Sequence, residues 1–462
     1  MVVTNECSPD PRVERHARWL GKSGHDVTIL AWDRSHSKDE HTQHEHYVIR
    51  RKRVGKRPSK SPLKTIIAKK KFLSSLEGDY DLVVYNDSDT LSKNSLHSKL
   101  EILDLHDLAH VWPLMQKNSL PRRILSSRMK KKLNRNKHRF QCIFTSSPGL
   151  KSYFESEFGL ECKVILNRRN TQRISRPMTK TVGYFGRIRD LASMKLLMNS
   201  AAQANFNVIL AGDGPCTDEV LKLFPEVDYR GPFDEDELKN LMAEIDIMYA
   251  MYNPEKENIL KGALPVKMFD AAAFGRPTIT TGGVPMGDFC LDEEMGVTAQ
   301  FGNVQSVIEA LNKAYEMEIS ECKGEDDERD IFLSEIEALL TTTDHKSGEV
   351  LMHGYMNPKA FTMSIETGEA HYWSRSRKCL WKKGETSGLY QNIKEILVDD
   401  DQDCMIFKVE VEGSGASCHV GYKSCFYRSV ENLNDLEFVE EEKLFDPEEV
   451  FSLFIAFKLL II

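Results

Sequence analysis

Short runs of apolar residues recur at intervals of helical length through the first two-thirds of the chain. Residues 27–31, 82–85, 102–105 and 142–145 are apolar nearly throughout rather than alternating. That is the pattern of strands covered on both faces of a parallel sheet. The rhythm repeats at 181–185, 207–211, 245–249 and 278–281, again with helical stretches between. Strand–helix alternation of this kind predicts two doubly wound α/β domains, over 1–172 and 173–317. Residues 318–329, which hold most of the run ECKGEDDERD, are polar and read as a linker. The pattern then changes. Residues 349–352, 370–373, 393–398 and 405–411 are rich in β-branched and aromatic positions and predict strands of a small α+β domain over 330–430. Residues 431–462 form a tail, acidic at 437–449 and apolar from 450 on. Its apolar run is interrupted by Lys458 and too short to span a bilayer, so it reads as a packing or interface segment.

Composition adds bounds. A chain of 462 residues accommodates about three domains of ordinary size. A net charge of −8 argues against a dedicated nucleic-acid binder. Charge is unevenly spread, however: residues 50–71 carry eleven Lys or Arg and no acid, and 122–139 carry nine more. Solvated helix faces explain such runs; attraction to anionic lipid headgroups or to a phosphorylated acceptor is the functional alternative. The ten cysteines are scattered and no secretory signal pattern opens the chain, which predicts reduced thiols and a cytoplasmic setting. No run of 18 apolar residues is present, so no transmembrane helix is expected.

The richest chemistry lies near the C-terminus. Asp399, Asp401 and Asp403 alternate, so in extended chain they share one face. Three carboxylates so placed repel unless a cation neutralises them, and hard oxygen ligands suit Mg²⁺ or Ca²⁺. Glu410 completes the spacing of an EF-hand loop, but Cys404 stands where that loop needs glycine and the following MIFKVEV alternates like a strand. Downstream, Cys418 and Cys425 bound CHVGYKSC; two thiolates with His419 supply soft ligands and a base, which suits Zn²⁺.

The blocks GEVLMHGYMNPKAF (348–361), ETGEAHYWSRSRKCLWKKGETSG (366–388), DDDQD (399–403) and ASCHVGYKSCFYR (416–428) closely resemble phosphoribosyl-AMP cyclohydrolase, a hydrolase of histidine biosynthesis. The resemblance implies Mg²⁺ on Asp399, Asp401 and Asp403, and Zn²⁺ on Cys418 and Cys425, with the zinc site completed across a homodimer interface. It also implies ring-opening hydrolysis of the adenine ring by a zinc-activated water. The chain departs from the family at one position: the third zinc-ligating cysteine is replaced by Asp400, and Cys404, four residues on, is the alternative ligand. His419, beside a zinc ligand, is the expected proton carrier. Ser374, Arg375, Ser376, Lys383 and Ser387 offer donors to phosphate and ribose, and Trp373 or Trp381 offers a face for the base, though either tryptophan equally suits a core.

Residues 1–316 resemble a retaining GT-B glycosyltransferase that uses nucleotide-sugar donors. The carrying motifs are NECSPDPRVERHARWLGKSGHDVTIL (5–30), GYFGRIR (183–189), AGDGP (211–215) and NILKGALPVKMFDAAAFGRPTIT (258–280). The resemblance implies that Arg187 and Lys267 neutralise the donor diphosphate and that Asp270, in place of a longer glutamate, binds the donor ribose. Gly212 and Gly214 are expected to allow close backbone approach. His106, in DLHDLAH, suits a structural role or a donor contact. Three readings stand. The first is a fusion of two enzymes. The second is a cyclohydrolase carrying a degenerate scaffold. The third is a transferase carrying an inactive metal-binding domain.

Overall fold

A computed structural model describes residues 1–55, 62–116, 119–170, 173–321, 323–336, 338–374, 377, 379–399, 404–431, 435–440 and 442–447. The chain forms two compact units, one of Met1–Ala17 with Thr28–Ile331 and the other of Arg18–Val27 with Phe332–Ile462.

The first unit contains two α/β sheets, each with helices between its strands. In the N-terminal sheet, Val2 forms parallel bridges to both Leu30 and Tyr85 and so joins a three-stranded to a four-stranded part. The Val2 stub thus fills the central place that a full first strand would occupy. Strands Thr28–Trp32 and Cys142–Thr145 fall where the apolar runs predict them. Strands Glu77–Asn86 and Ser95–Leu105 are longer than their runs. The first half of Glu77–Asn86 alternates exposed and half-buried positions, and only its last four residues are buried. An apolar-run criterion therefore detects only the half of the strand that is covered.

The second sheet consists of Thr181–Phe185, Asn207–Ala211, Asp228–Tyr229, Ile247–Ala250, Thr278–Thr281 and Gly296–Ala299. All its pairings are parallel, and its order, numbered by sequence, is 3-2-1-4-5-6. The order reverses between Thr181–Phe185 and Ile247–Ala250. That reversal opens a crevice at the carboxyl ends of those two strands, where ligands of doubly wound sheets bind.

The segment read as a linker differs from expectation. It carries the start of a helix, Asp326–Ser334, whose first turn holds Asp326, Asp327 and Glu328, favourably placed against the helix dipole. Glu328 is buried and accepts from Leu166 N (2.7 Å) and Arg168 Nε (3.2 Å). Acidic composition alone reads as solvated, whereas here a buried guanidinium compensates the carboxylate.

In the second unit the sheet runs Cys379–Lys382, His371–Ser374, Val350–Met356, Ala338–Asp344, Cys404–Val411, Gln391–Val398. Neighbours are antiparallel except Ala338–Asp344 and Cys404–Val411, which pair in parallel. Alternation along Cys404–Val411 turns Met405, Phe407 and Val409 into a core with Leu351, Met356 and Tyr372. Helix Pro358–Thr367 starts at Asn357, whose side chain accepts from Ala360 N, and stops at Gly368 in the left-handed region (φ 71°). Ala338–Asp344 was not predicted, although Thr341–Thr343 form a β-branched run that favours a strand. The apolar run 450–462 lies outside the described residues.

Candidate functional site

In the second unit, the loop 416–428 is held from below by a chain of buried hydrogen bonds. Thr342 Oγ1 and Tyr372 Oη lie 2.6 Å apart, Tyr372 Oη donates to Gln391 Oε1 (2.6 Å), and Gln391 Nε2 donates to Ser417 Oγ (3.0 Å). Cys425 N donates to Leu351 O (2.8 Å), and Cys418 N to Tyr422 O (3.1 Å). These anchors place the Cys418 and Cys425 side chains close enough to influence each other's charge. Cys418 is buried, whereas Cys425 is exposed as a residue. Packing around its sulfur, then the neighbouring Cys418, pushes the Cys425 thiol up to about 11, against the pull of Lys383. Lys383 is 7% exposed, donates to Ser417 O (2.6 Å), and has its own pKa lowered by burial against the opposing pull of the two sulfurs. A pair of soft donors beside a buried cation fits a site that takes a thiolate-binding metal.

Lys383 was expected to donate to phosphate or ribose; the structure turns it instead to the thiols and the loop backbone. Nothing in its composition block distinguishes the two, because the distinction rests on which strand the loop folds over. Ser374 Oγ accepts from Arg377 N (3.3 Å) and Nε (3.2 Å), and Ser387 Oγ accepts from Leu389 N (3.4 Å). Trp373 is buried and Trp381 packs against Tyr372 at 5.4 Å, so both serve the core. His419 is exposed and forms no hydrogen bond among the described residues. Asp399 Oδ1 accepts from Cys404 N (2.9 Å). Arg375, Ser376, Asp400, Asp401 and Asp403 lie outside the described residues. Among the described residues, no three His, Cys, Asp or Glu converge as a metal-binding group.

In the first unit, helix Val266–Ala273 carries Lys267 to the point where the second sheet reverses order. The Lys267 ammonium is buried, has no hydrogen-bond partner among the described residues, and lies 3.2 Å from the centre of the Tyr184 ring. Burial depresses it well below the ordinary lysine range. A Cβ at Gly186 would stand 3.6 Å from this nitrogen, so glycine leaves the space before it open. Gly212 and Gly214 do permit close approach, but to protein: their Cβ atoms would meet Gly186 O at 2.1 Å and Ile188 O at 2.2 Å. Asp270 is less free than expected. Burial raises its pKa, with Arg169, Arg15 and Lys267 pulling against it, and Arg169 Nε lies 3.7 Å away.

Arg187 lines a cleft of about 740 Å³ together with Arg189, which sequence reasoning did not single out, and the loop 3–10. Beneath it lies a buried ionic cluster. Arg12 grips Asp104 through two bonds (2.8 and 2.7 Å), and His106 sits between Asp87 (3.1 Å) and Asp104 (3.5 Å). Burial works against the imidazolium, but the two carboxylates outweigh it and push His106 up to about 10. Burial likewise opposes the Asp104 carboxylate, and Arg12 overrides it, holding Asp104 well below the usual range. His106 thus lines the cleft while lying between two buried carboxylates.

Comparison with known proteins assigns the two regions separately. Residues 352–427 match the family described as phosphoribosyl-AMP cyclohydrolase, and 179–317 match glycosyl transferases group 1. The phosphoribosyl-AMP cyclohydrolase of Methanothermobacter thermautotrophicus is 53% identical over 110 residues, which are 24% of this chain and 78% of that protein. That of Desulforapulum autotrophicum is 53% identical over 109 residues, covering 24% of this chain and 86% of the relative. Among solved structures, sucrose-phosphate synthase from Thermosynechococcus elongatus aligns with a TM-score of 0.48 at 14% identity, over 70% of this chain and 88% of its own.

Proposed function

Because this chain belongs to the phosphoribosyl-AMP cyclohydrolase family, we propose that its second unit opens the adenine ring of phosphoribosyl-AMP by hydrolysis, a step of histidine biosynthesis. The observation that carries this reading is the pairing of Cys418 and Cys425 on a loop anchored by the buried Thr342–Tyr372–Gln391–Ser417 hydrogen bonds and faced by Lys383. Zn²⁺ is assigned to Cys418, Cys425 and either Asp400 or Cys404, and Mg²⁺ to Asp399, Asp401 and Asp403. Bound zinc would supply a water acidified toward neutral pH. Lys383 offsets the charge of paired thiolates while its bond to Ser417 O fixes the loop. His419, next to Cys418 and open to solvent, accepts or returns a proton at the ring nitrogen. Arg375 and Ser376 grip phosphate, with Ser374 and Ser387 on the ribose side. Reduced thiols at the site suit the cytoplasm, and a homodimer completes the zinc ligands.

Purified full-length protein should convert phosphoribosyl-AMP to the ring-opened product only with both metals present. Chelation should abolish turnover and added Zn²⁺ together with Mg²⁺ should restore it, with zinc content followed by mass spectrometry. Stoichiometric zinc without turnover would favour the alternative, a transferase carrying an inactive metal-binding domain.

A second activity, transfer from a nucleotide sugar to an unknown acceptor, is supported by the Lys267 ammonium, buried and without a hydrogen-bond partner at the crevice. A diphosphate is the ligand that would repay its desolvation. Lys267→Ala should weaken nucleotide-sugar binding roughly 10- to 100-fold, the worth of a charge-assisted hydrogen bond. Arg187→Ala should act in the same direction, and neither should change cyclohydrolase turnover. Calorimetry in which the unmutated protein binds no nucleotide sugar would leave the first unit a scaffold.

A further inference from the structure

The two basic runs become helices Pro62–Ser74 and Leu120–Asn136. Each anchors one lysine inward on the same short segment: Lys69 donates to Asp89 (2.9 Å) and Lys132 to Ser92 Oγ (2.8 Å). The anchors are close enough that Lys69 and Lys70 help burial depress the Lys132 pKa to about 8. The two helices are therefore neighbours, and helical periodicity fixes what lies on their outer faces. Opposite Lys69 lie Lys64, Ile67 and Lys71; on the second helix Leu120, Ile124, Arg128, Lys131 and Arg135 are exposed and fall within one sector of about 80°. Ile67 is 60%, Leu120 72% and Ile124 46% exposed. Lys64, Lys70, Lys71, Arg128, Lys131 and Arg135 form no ion pair among the described residues. Neither helix contains an acidic residue, in a chain whose net charge is −8.

We infer that this face docks the protein on an anionic membrane surface, an inference that stands apart from both enzymatic readings. Cations alone would equally suit nucleic acid. The exposed isoleucines and leucine interleaved with them decide for lipid, because apolar side chains gain by entering the headgroup boundary and gain nothing at a phosphodiester backbone. No described helix is long and apolar enough to cross a membrane, so binding is peripheral and reversible.

The test is co-sedimentation of full-length protein with vesicles of phosphatidylcholine alone or with one-third phosphatidylglycerol. Binding is expected to the anionic vesicles only and to disappear at about 1 M salt, where the Debye length is about 3 Å. Each surface cation contributes about 1 kcal/mol, roughly fivefold, so R128S/K131S/R135S should weaken binding about 100-fold. L120S/I124S should weaken vesicle binding as well, while leaving binding to single-stranded RNA unchanged. These residues are exposed, and an unchanged melting curve checks that each variant is folded. Equal binding to neutral and anionic vesicles, no binding to either, full binding by the triple variant, or RNA binding tighter than vesicle binding would each overturn the inference.

Discussion

Cys418→Ser should leave the full-length protein without bound zinc and should cut turnover of phosphoribosyl-AMP by more than about 100-fold. Loss of a mere supporting partner of a metal ligand costs about 10- to 100-fold, and loss of a ligand itself must exceed that. Serine preserves size but exchanges a soft thiolate for a hydroxyl that stays protonated at neutral pH. Cys425→Ser should behave alike, because the two thiols influence each other's charge and are proposed to hold the same metal. A serine variant that kept stoichiometric zinc and parental turnover would remove the thiol pair from the mechanism. The substitution should barely alter the melting of the first unit, which separates loss of the site from global unfolding.

Asp104→Asn should destabilise the first unit by about 3–5 kcal/mol, the cost of removing one partner from a buried charge pair. Asp104 is fully buried, holds Arg12 through two bonds and faces His106, so the amide leaves a guanidinium and an imidazolium undercompensated. The pH dependence has a defined sign. Asp104 is depressed, so its contribution is present above the ordinary carboxylate value of about 3.9 and lost only as pH falls through its lower folded value. His106 is raised to about 10, so its contribution is full below about 6.5 and is lost as pH rises through the folded value. The stability gap between parent and variant should therefore be widest near pH 4–6.5 and narrow toward pH 10. Urea titrations across that range that show a gap below about 1 kcal/mol would mean that the cluster is not load-sharing as drawn.

Strand positions were legible wherever both faces are covered. Cys142–Thr145, Thr181–Phe185, Asn207–Ala211 and Thr278–Thr281 coincide with their runs because most of their side chains are buried whichever face they point to. Half-exposed strands were legible only in part, as in Glu77–Asn86, and Ala338–Asp344 escaped because threonines dilute its hydrophobicity. Of the site, the cysteine pair was legible from spacing and family blocks. The inward turn of Lys383 was not, because it depends on Ser417 O arriving from a distant loop. The Arg169 contact of Asp270 escaped for the same reason: its partner comes from a distant segment of the first unit.

One pairing bears on how the second unit is made. Its sheet joins a four-stranded antiparallel part to a two-stranded one through the parallel match of Ala338–Asp344 with Cys404–Val411, and four strands and a helix are synthesised between the two. Until the later strand leaves the ribosome, Ala338–Asp344 presents an open edge of unpaired amides and carbonyls beside a finished antiparallel half. A nascent chain paused in that interval is thus a ready target for holdase chaperones and for edge-to-edge association with its neighbours on a polysome.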